Sequence, residues 1–383
     1  MAEPATVQQA LRRFLEPSGL DLQRQRVCSH LMACRTPAMG GRHVCCGHCQ
    51  YYEVQYFGCR DRHCPQCQGH AIGQWSDRQR EHLLPVRYFH VVFTVPHALN
   101  GWVQLHPEVI HRLLFQAAWG TLQAFGRDPK RLDGMLGMTA VLHTWGQTLN
   151  QHVHLHCLVP GGALSDDGQW HGVRGNDLFP VRALSRHFRG RMVSALRAAA
   201  QAGALHRVTR PSEIDAVLDA LMATRWVVYT KDCLAHTDTV IDYLARYTRR
   251  IAITNARILA VDAEQVTLRY TDYQANARNR CMTLDGGEFV RRFLLHVLPK
   301  GLMRVRHYGF LANRCRRRRL TQIRAALAVK TAADHTCRAT DATTRAERIC
   351  PRCRRGPMHF IEMIAPQPRW YHTWGNREHR HRP

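Results

Sequence analysis

The chain has 383 residues, enough for two or three domains with hydrophobic cores, and 45% hydrophobic against 22% charged residues excludes a disordered polymer. Its 54 Lys and Arg against 29 Asp and Glu leave a net charge of +25 before any of the 25 histidines is counted, which points to a polyanionic partner. The longest apolar stretch, Tyr88 to Leu99, is broken by two histidines and a proline and falls far short of the roughly 20 residues a membrane span needs, so no transmembrane helix is predicted.

The opening segment has no apolar run of the secretory kind, so a cytoplasmic, reducing setting is expected. In such a setting clustered cysteines read as metal ligands rather than cross-links. Eight of the fifteen cysteines (28, 34, 45, 46, 49, 59, 64 and 67) lie before about residue 80, marking a small metal-organised domain over residues 1–80. Cys46-x2-Cys49 and Cys64-x2-Cys67 are 14 residues apart, close to the spacing at which two knuckles present four thiolates to one tetrahedral Zn²⁺. Cys59 and His63 between the pairs, and Cys45 and His48 beside the first, leave open a mixed ligand set or a second ion. Four protein ligands leave no place for substrate, so this zinc is structural.

From Pro85 to about Leu311 the pattern changes to interspersed strands and helices, the expected catalytic body. Strands are predicted over Tyr88 to Val95, Met138 to Thr144, His152 to Val159, Trp226 to Lys231 and Val266 to Tyr273, all rich in β-branched or aromatic residues. Helices are predicted over Pro107 to Phe125, Ser185 to Ala202, Pro211 to Ala223, Thr237 to Arg249 and Gly287 to Leu298. Gly161 to Arg182 reads as a loop.

Two segments of this body carry chemistry. In Asn150 to Pro160 (NQHVHLHCLVP) a period of two places His152, His154 and His156 on one strand face and Val153, Leu155 and Cys157 on the other. Imidazoles two apart on a strand can hold one divalent ion and leave positions for a third ligand and a phosphate oxygen. Gln147, His143 and His97 are further candidates, and spacing does not choose among them. On the predicted helix TDTVIDYLARYTRR, Tyr243 and Tyr247 are four apart and share a face. A phenolic hydroxyl can attack a phosphodiester and conserve its bond energy as a phosphotyrosine, but its pKa of roughly 10 means it needs electrophilic help. Arg246, Arg249 and Arg250 follow it as candidate phosphate contacts.

Residues 312–383 form a basic C-terminal region; from 301 onward there are 19 Lys plus Arg and 5 Asp plus Glu, so 19 − 5 = +14. Arg316, Arg317, Arg318 and Arg319 suit phosphate contacts whose strength falls with salt. Cys350-x2-Cys353, with His335 or Cys337, reads as a second zinc site, and the histidine-rich end as a disordered tail.

The order of these features resembles the HUH nucleases with two tyrosines, and more closely the transposases of rolling-circle insertion sequences of the IS-ninety-one type. The similarity runs through CRDRHCPQC (59 to 67), YFHVVFTVPHAL (88 to 99), HTWGQTLNQHVHLHCLVPGG (143 to 162), WVVYTK (226 to 231, ending at Lys231, a further candidate DNA contact), YLARYTRRIAITNARI (243 to 258) and LPKGLMRVRHYGFLANR (298 to 314). The resemblance implies an α+β fold whose catalytic domain, residues 85–311, is an HUH core: a mainly antiparallel sheet flanked by helices. It makes His154 and His156 ligands of a catalytic Mg²⁺ or Mn²⁺, joined by His152 or Gln147, and it makes Tyr243 and Tyr247 the nucleophiles. The knuckles become a DNA-recognition domain. The implied activity is nicking and transfer of single-stranded DNA at element ends and into target DNA through 5′-phosphotyrosine links, in a bacterial cytoplasm beside the nucleoid. A plasmid replication initiator or relaxase would share this chemistry, and a zinc-dependent DNA-binding relative without catalysis is the reading from another class.

Overall fold

The computed structural model describes residues 5–68, 81–208, 211–233, 251–273, 275–327 and 348–367. In chain order the main elements begin with helices α1 (Val7–Phe14) and α2 (Leu22–Ala33), strands β1 (Gly41–Cys46), β2 (Tyr52–Tyr56) and β3 (Tyr88–Thr94), and helix α3 (Pro107–Gly126). Strands β4 (Gly137–Trp145) and β5 (Gln151–Pro160) and the short hairpin β6 (Gly162–Leu164) and β7 (Trp170–Gly172) come next. Then follow α4 (Val181–Gln201), α5 (Pro211–Ala223), β8 (Val228–Cys233), β9 (Ile258–Val261), β10 (Gln265–Asp272) and β11 (Arg278–Asp285). The last are α6 (Gly286–Leu294), β12 (Val305–Gly309), α7 (Arg316–Ala326) and β13 (Met358–Ile364).

Two compact units divide the chain: residues 72–252 with 298–330, and residues 1–71 with 253–297 and 331–383. This differs from the three consecutive segments read from sequence. Residues 253–297 group with the N-terminal region rather than with the expected catalytic body, and so does the segment bearing Cys350 and Cys353.

In the unit built on residues 72–252, five strands form an antiparallel sheet in the order β12-β4-β5-β3-β8. Alternation decides which face is buried. Phe89, Val91 and Phe93 of β3, Met138, Ala140 and Leu142 of β4, and Val153, Leu155 and Cys157 of β5 enter one core. Ile110, Leu114 and Ala118 of α3, and Leu184, Phe188 and Met192 of α4, recur at helical spacing and close it from the other side. Each fully buried Leu or Phe contributes on the order of 2 kcal/mol, and a one-residue slip of β5 would drive its imidazoles into this core, so the register is held firmly. The loop expected at Gly161 to Arg182 contains the β6–β7 hairpin. The helix expected at Thr237 to Arg249 lies outside the described residues, as does the histidine-rich end.

In the other unit β1 is the middle strand between β13 and β2, and β10 lies between β11 and β9, all antiparallel. Helix α1 starts at a capping box: the Gln9 amide donates to Thr6 Oγ1 (3.1 Å), and the Thr6 amide donates to Gln9 Oε1 (3.0 Å). At α2 and α6 the side chains of Asp21 and Asp285 accept from the Arg24 and Glu288 amides as simple N-caps. A side chain at Gly286 would overlap the Phe14 ring, which makes glycine necessary where α6 meets α1. The fold is α+β with antiparallel sheets flanked by helices, as expected.

Candidate metal centres

Strands β4 and β5 bring three imidazoles together. His143 pairs with His154 across the ladder and Val141 with His156, so alternation places His143, His154 and His156 on the sheet face away from the helices. One ring nitrogen of each lies within 4.8 Å of the others. His154 Nδ1 is 2.8 Å from the His152 carbonyl oxygen, so Nδ1 carries the proton and Nε2 keeps its lone pair. That Nε2 is 3.0 Å from His156 Nε2. Two nitrogens each ~2.1 Å from one ion and at right angles to each other are about 3.0 Å apart, so the pair is spaced as adjacent ligands.

The surroundings hold these rings in place. His156 Nδ1 is 2.8 Å from His90 Nε2 of β3, and the two rings stack at 5.1 Å and 12°. His143 stacks on Trp145 at 4.6 Å and 19°. Burial, with the His152 charge as a lesser cause, pushes His154 down to about 4; burial does the same to His90. Both are therefore neutral near pH 7, the form that can lend a lone pair.

His154 and His156 meet as the strand period indicated. The third imidazole is His143, one of three further candidates that spacing alone could not rank. A hairpin whose turn is centred near Thr148 pairs 143 with 154, and that symmetry was the available signal. His152 Nδ1 is engaged instead with His97 Nε2 at 3.0 Å, while Gln147 sits in the β4–β5 turn.

The cysteines correct the reading of one double knuckle. Cys64 and Cys67 do not meet Cys46 and Cys49; they converge with Cys34 and Cys59. Sulfur–sulfur distances are 3.5 Å for Cys34–Cys64 and Cys34–Cys67 and 3.8 Å for Cys59–Cys67. Thiolates ~2.3 Å from a tetrahedral Zn²⁺ stand about 3.8 Å apart, against about 2.05 Å in a disulfide, so this set fits zinc. Cys34, at the end of α2, was missed because it belongs to no CxxC pair. Cys59, an alternate candidate, is a member. His63 is not, since its Nδ1 is engaged with Asp61 at 2.8 Å, and the Cys45 thiol turns to Gln50 Oε1 at 3.5 Å. Cys46 and Cys49 converge with Cys350 and Cys353; Cys337 and His335, the other candidates for that site, lie outside the described residues.

The basic candidates occupy different places. Lys231 is exposed and pairs with His90, on the same sheet face as the imidazoles. Arg318 and Arg319, with Arg127 and Arg314, line a cavity of about 700 Å³ floored by Trp119 and Tyr308, whose rings stack at 5.4 Å. Arg316 faces a smaller recess with His82, Thr139 and His307, and Arg317 is exposed. Tyr243, Tyr247, Arg246, Arg249 and Arg250 lie outside the described residues.

The described residues thus carry an imidazole trio on the antiparallel sheet of one unit and, in the other unit, two cysteine sets spaced for zinc, the equipment of a metal-binding protein. Residues 137–319 match the transposase family model Y2_Tnp, and residues 6–95 match the model of a transposase zinc-binding domain. The chain is 39% identical over 374 residues to "Putative transposase y4qJ" of Sinorhizobium fredii, covering 93% of this chain and 94% of that one. It is 28% identical over 340 residues to the "Transposase for insertion sequence element IS801" of Pseudomonas savastanoi pv. phaseolicola, covering 85% and 79%. The chain belongs to the IS91 family of transposases, with an N-terminal zinc-binding domain. That domain supports a structural Zn²⁺, and Cys34, Cys59, Cys64 and Cys67, all inside it, are grouped so that they could hold one. No helix among the described residues is long and apolar enough to cross a membrane.

Proposed function

We propose that this transposase cuts one DNA strand at the end of its element and transfers it through 5′-phosphotyrosine links, with Tyr243 and Tyr247 as nucleophiles. The observation that carries the reading is the convergence of His143, His154 and His156 on one sheet face. A Mg²⁺ or Mn²⁺ ion held by them would polarise a non-bridging phosphate oxygen and offset the charge that develops in the transition state. His154 and His156 would hold it through Nε2, with the His152 carbonyl and His90 placed to take the protons on their Nδ1 atoms, and Lys231 on the same face would steer a phosphate. The tyrosine oxygen forms a bond to phosphorus and the bond from phosphorus to the 3′ oxygen breaks. The departing oxygen takes up a proton as a free 3′ hydroxyl.

That hydroxyl can prime replication, as rolling-circle transposition requires, and a second tyrosine can accept the other DNA end in the same site. The arginines around Trp119 and Tyr308 suit a single strand, because guanidinium groups hold phosphates while an aromatic pair offers a stacking surface. With DNA as substrate, the cytoplasm beside the nucleoid is its place of action. The test is a 3′-labelled single-stranded oligonucleotide carrying the element's end, incubated with Mg²⁺ or Mn²⁺ and run on a denaturing gel. A protein-linked band is expected, reduced by Tyr243→Phe or Tyr247→Phe and absent from the double variant. An adduct that survives the double change rejects the assignment; a mobility shift with no adduct under any condition leaves only a DNA-binding protein.

A further inference from the structure

We propose that Cys46, Cys49, Cys350 and Cys353 form a second structural zinc site, a clasp that makes the zinc-binding domain complete only when the C-terminal segment returns to it. The matched zinc-binding domain ends at residue 95 and contains neither Cys350 nor Cys353. Yet the four sulfurs converge: Cys46 lies 3.6 Å from Cys353, 307 positions away in the chain, and Cys49 lies 3.7 Å from Cys350. All four are free thiols. Their separations match the ~3.8 Å edge of a tetrahedron around zinc and not the ~2.05 Å of a disulfide.

The backbone around them is a built site rather than a chance gathering. Both CxxC segments make the same knuckle. The Gln50 amide donates to the Cys46 carbonyl (3.1 Å) and the Arg354 amide to the Cys350 carbonyl (2.9 Å). Gln50 and Arg354, each directly after the second cysteine, both have φ of 56°, a left-handed conformation that non-glycine residues seldom adopt. The amides of His48 and Cys49 point at the Cys46 sulfur (3.3 and 3.4 Å), and those of Arg352 and Cys353 point in the same way at the Cys350 sulfur. Two equivalent knuckles therefore aim thiolate-stabilising donors at sulfurs that face each other.

Strand pairing brings the knuckles together. β1 and β13 run antiparallel, with Cys46 opposite Met358 and Gly41 opposite Ile364, and the Gly47 amide donates to the Pro357 carbonyl at 3.2 Å. A Cβ at Gly356 would stand 2.7 Å from His48 Cβ and 3.0 Å from Cys46 Sγ, so only glycine lets one knuckle close on the other. Four thiolates in this arrangement select a tetrahedral soft-ligand ion, zinc foremost.

The test counts metal in the full chain by inductively coupled plasma mass spectrometry, in a His154→Ala/His156→Ala background so that the imidazole trio takes none. Two zinc ions per chain are expected. Cys350→Ser/Cys353→Ser should leave one, Cys46→Ser/Cys49→Ser should leave one, and the quadruple change should still leave one, because both pairs hold the same ion. Cys34→Ser/Cys59→Ser should remove the other. X-ray absorption on the protein with every cysteine intact, where no cysteine change can disturb folding, should give only sulfur neighbours at about 2.3 Å. A single zinc in that protein, two zincs retained in Cys350→Ser/Cys353→Ser, iron in place of zinc, or an imidazole-nitrogen shell would each overturn the assignment.

Discussion

His90 touches no substrate in the proposed reaction, yet it should set how tightly the imidazole trio holds its ion. His156 turns Nε2 toward His154 and Nδ1 toward His90, so binding an ion through Nε2 requires a proton on Nδ1 and an acceptor for it. Burial lowers His90 to about 4 and so keeps it neutral at pH 7; in the tautomer with its proton on Nδ1, Nε2 accepts from His156. His90→Phe keeps a ring of similar size and removes that acceptor. Leaving a buried donor unsatisfied costs about 1–3 kcal/mol, and loss of such an outer partner lowers metal affinity roughly 10–100-fold, or about 1.4–2.7 kcal/mol; the two figures agree. Calorimetric titration of Mn²⁺ into protein carrying zinc only at its cysteines, the imidazole trio first cleared with a mild chelator, reads the affinity without relying on activity. The dissociation constant should rise by one to two orders of magnitude in His90→Phe and partly recover in His90→Gln, while the adduct yield at saturating Mn²⁺ stays near normal. An unchanged dissociation constant, or an adduct yield that saturating Mn²⁺ cannot restore, refutes the reasoning.

The same titration should separate the trio from its neighbours: His143→Ala should lose measurable Mn²⁺ binding, whereas His152→Ala, which keeps the carbonyl that orients His154, should weaken it only a few-fold. Three imidazole donors favour a softer ion over Mg²⁺, so half-maximal adduct formation should need less Mn²⁺ than Mg²⁺; equal requirements would argue against the ligand set. Arg318→Ala/Arg319→Ala should weaken single-strand binding, and the slope of log affinity against log salt should become shallower by about 1.4 if each arginine meets one phosphate. His111, buried in α3 with neither ring nitrogen hydrogen-bonded, is pushed down to about 4 by burial and then by the Arg306 charge. Its folded pKa is depressed, so the native state excludes its proton, and stability is intact above pH 6.5 and falls as the pH drops toward 4. The loss is (6.5 − 4) × 1.36, or about 3 kcal/mol. His111→Leu should flatten that fall in thermal-unfolding curves between pH 7 and 4.

The sheet was legible where one physical demand dominated. β5 reads as a strand because Val153, Leu155 and Cys157 alternate with His152, His154 and His156, apolar residues toward the core and imidazoles toward the other face, and the same demand placed β3, β4 and α3 within a residue or two. His143 was one candidate among several because choosing it needs the hairpin register, a pairing property rather than a periodicity. β12 was not read as a strand at all: Arg306 and His307 make it polar. It holds its edge position through β4, through Tyr308 stacked on Trp119, and through the Arg306 guanidinium 4.3 Å above the Phe115 ring, contacts made across the fold. β13 was hidden in the same way, with Phe360, Ile361 and Met363 exposed and its stability drawn from β1.

The cysteines set the limit of spacing arguments. The two members of each CxxC pair fall in the same cysteine group, since three-residue geometry fixes that locally, but which pairs come together is a tertiary question. Joining Cys49 to Cys64 would close 14 intervening residues, whereas joining it to Cys350 spans 301 positions. The extra loop entropy scales as (3/2)RT ln(301/14), about 3 kcal/mol. Binding of a structural zinc is worth roughly 10–16 kcal/mol, so a short loop is a weak preference that any competing order can override. Here the competing orders are the β1–β13 ladder, which delivers Cys350 and Cys353 to the first knuckle, and α2, which delivers Cys34 to the second. Partner choice at such a site follows strand pairing, and a CxxC motif near one end of a sequence should be matched against every other CxxC in the chain before its nearest neighbour is assumed.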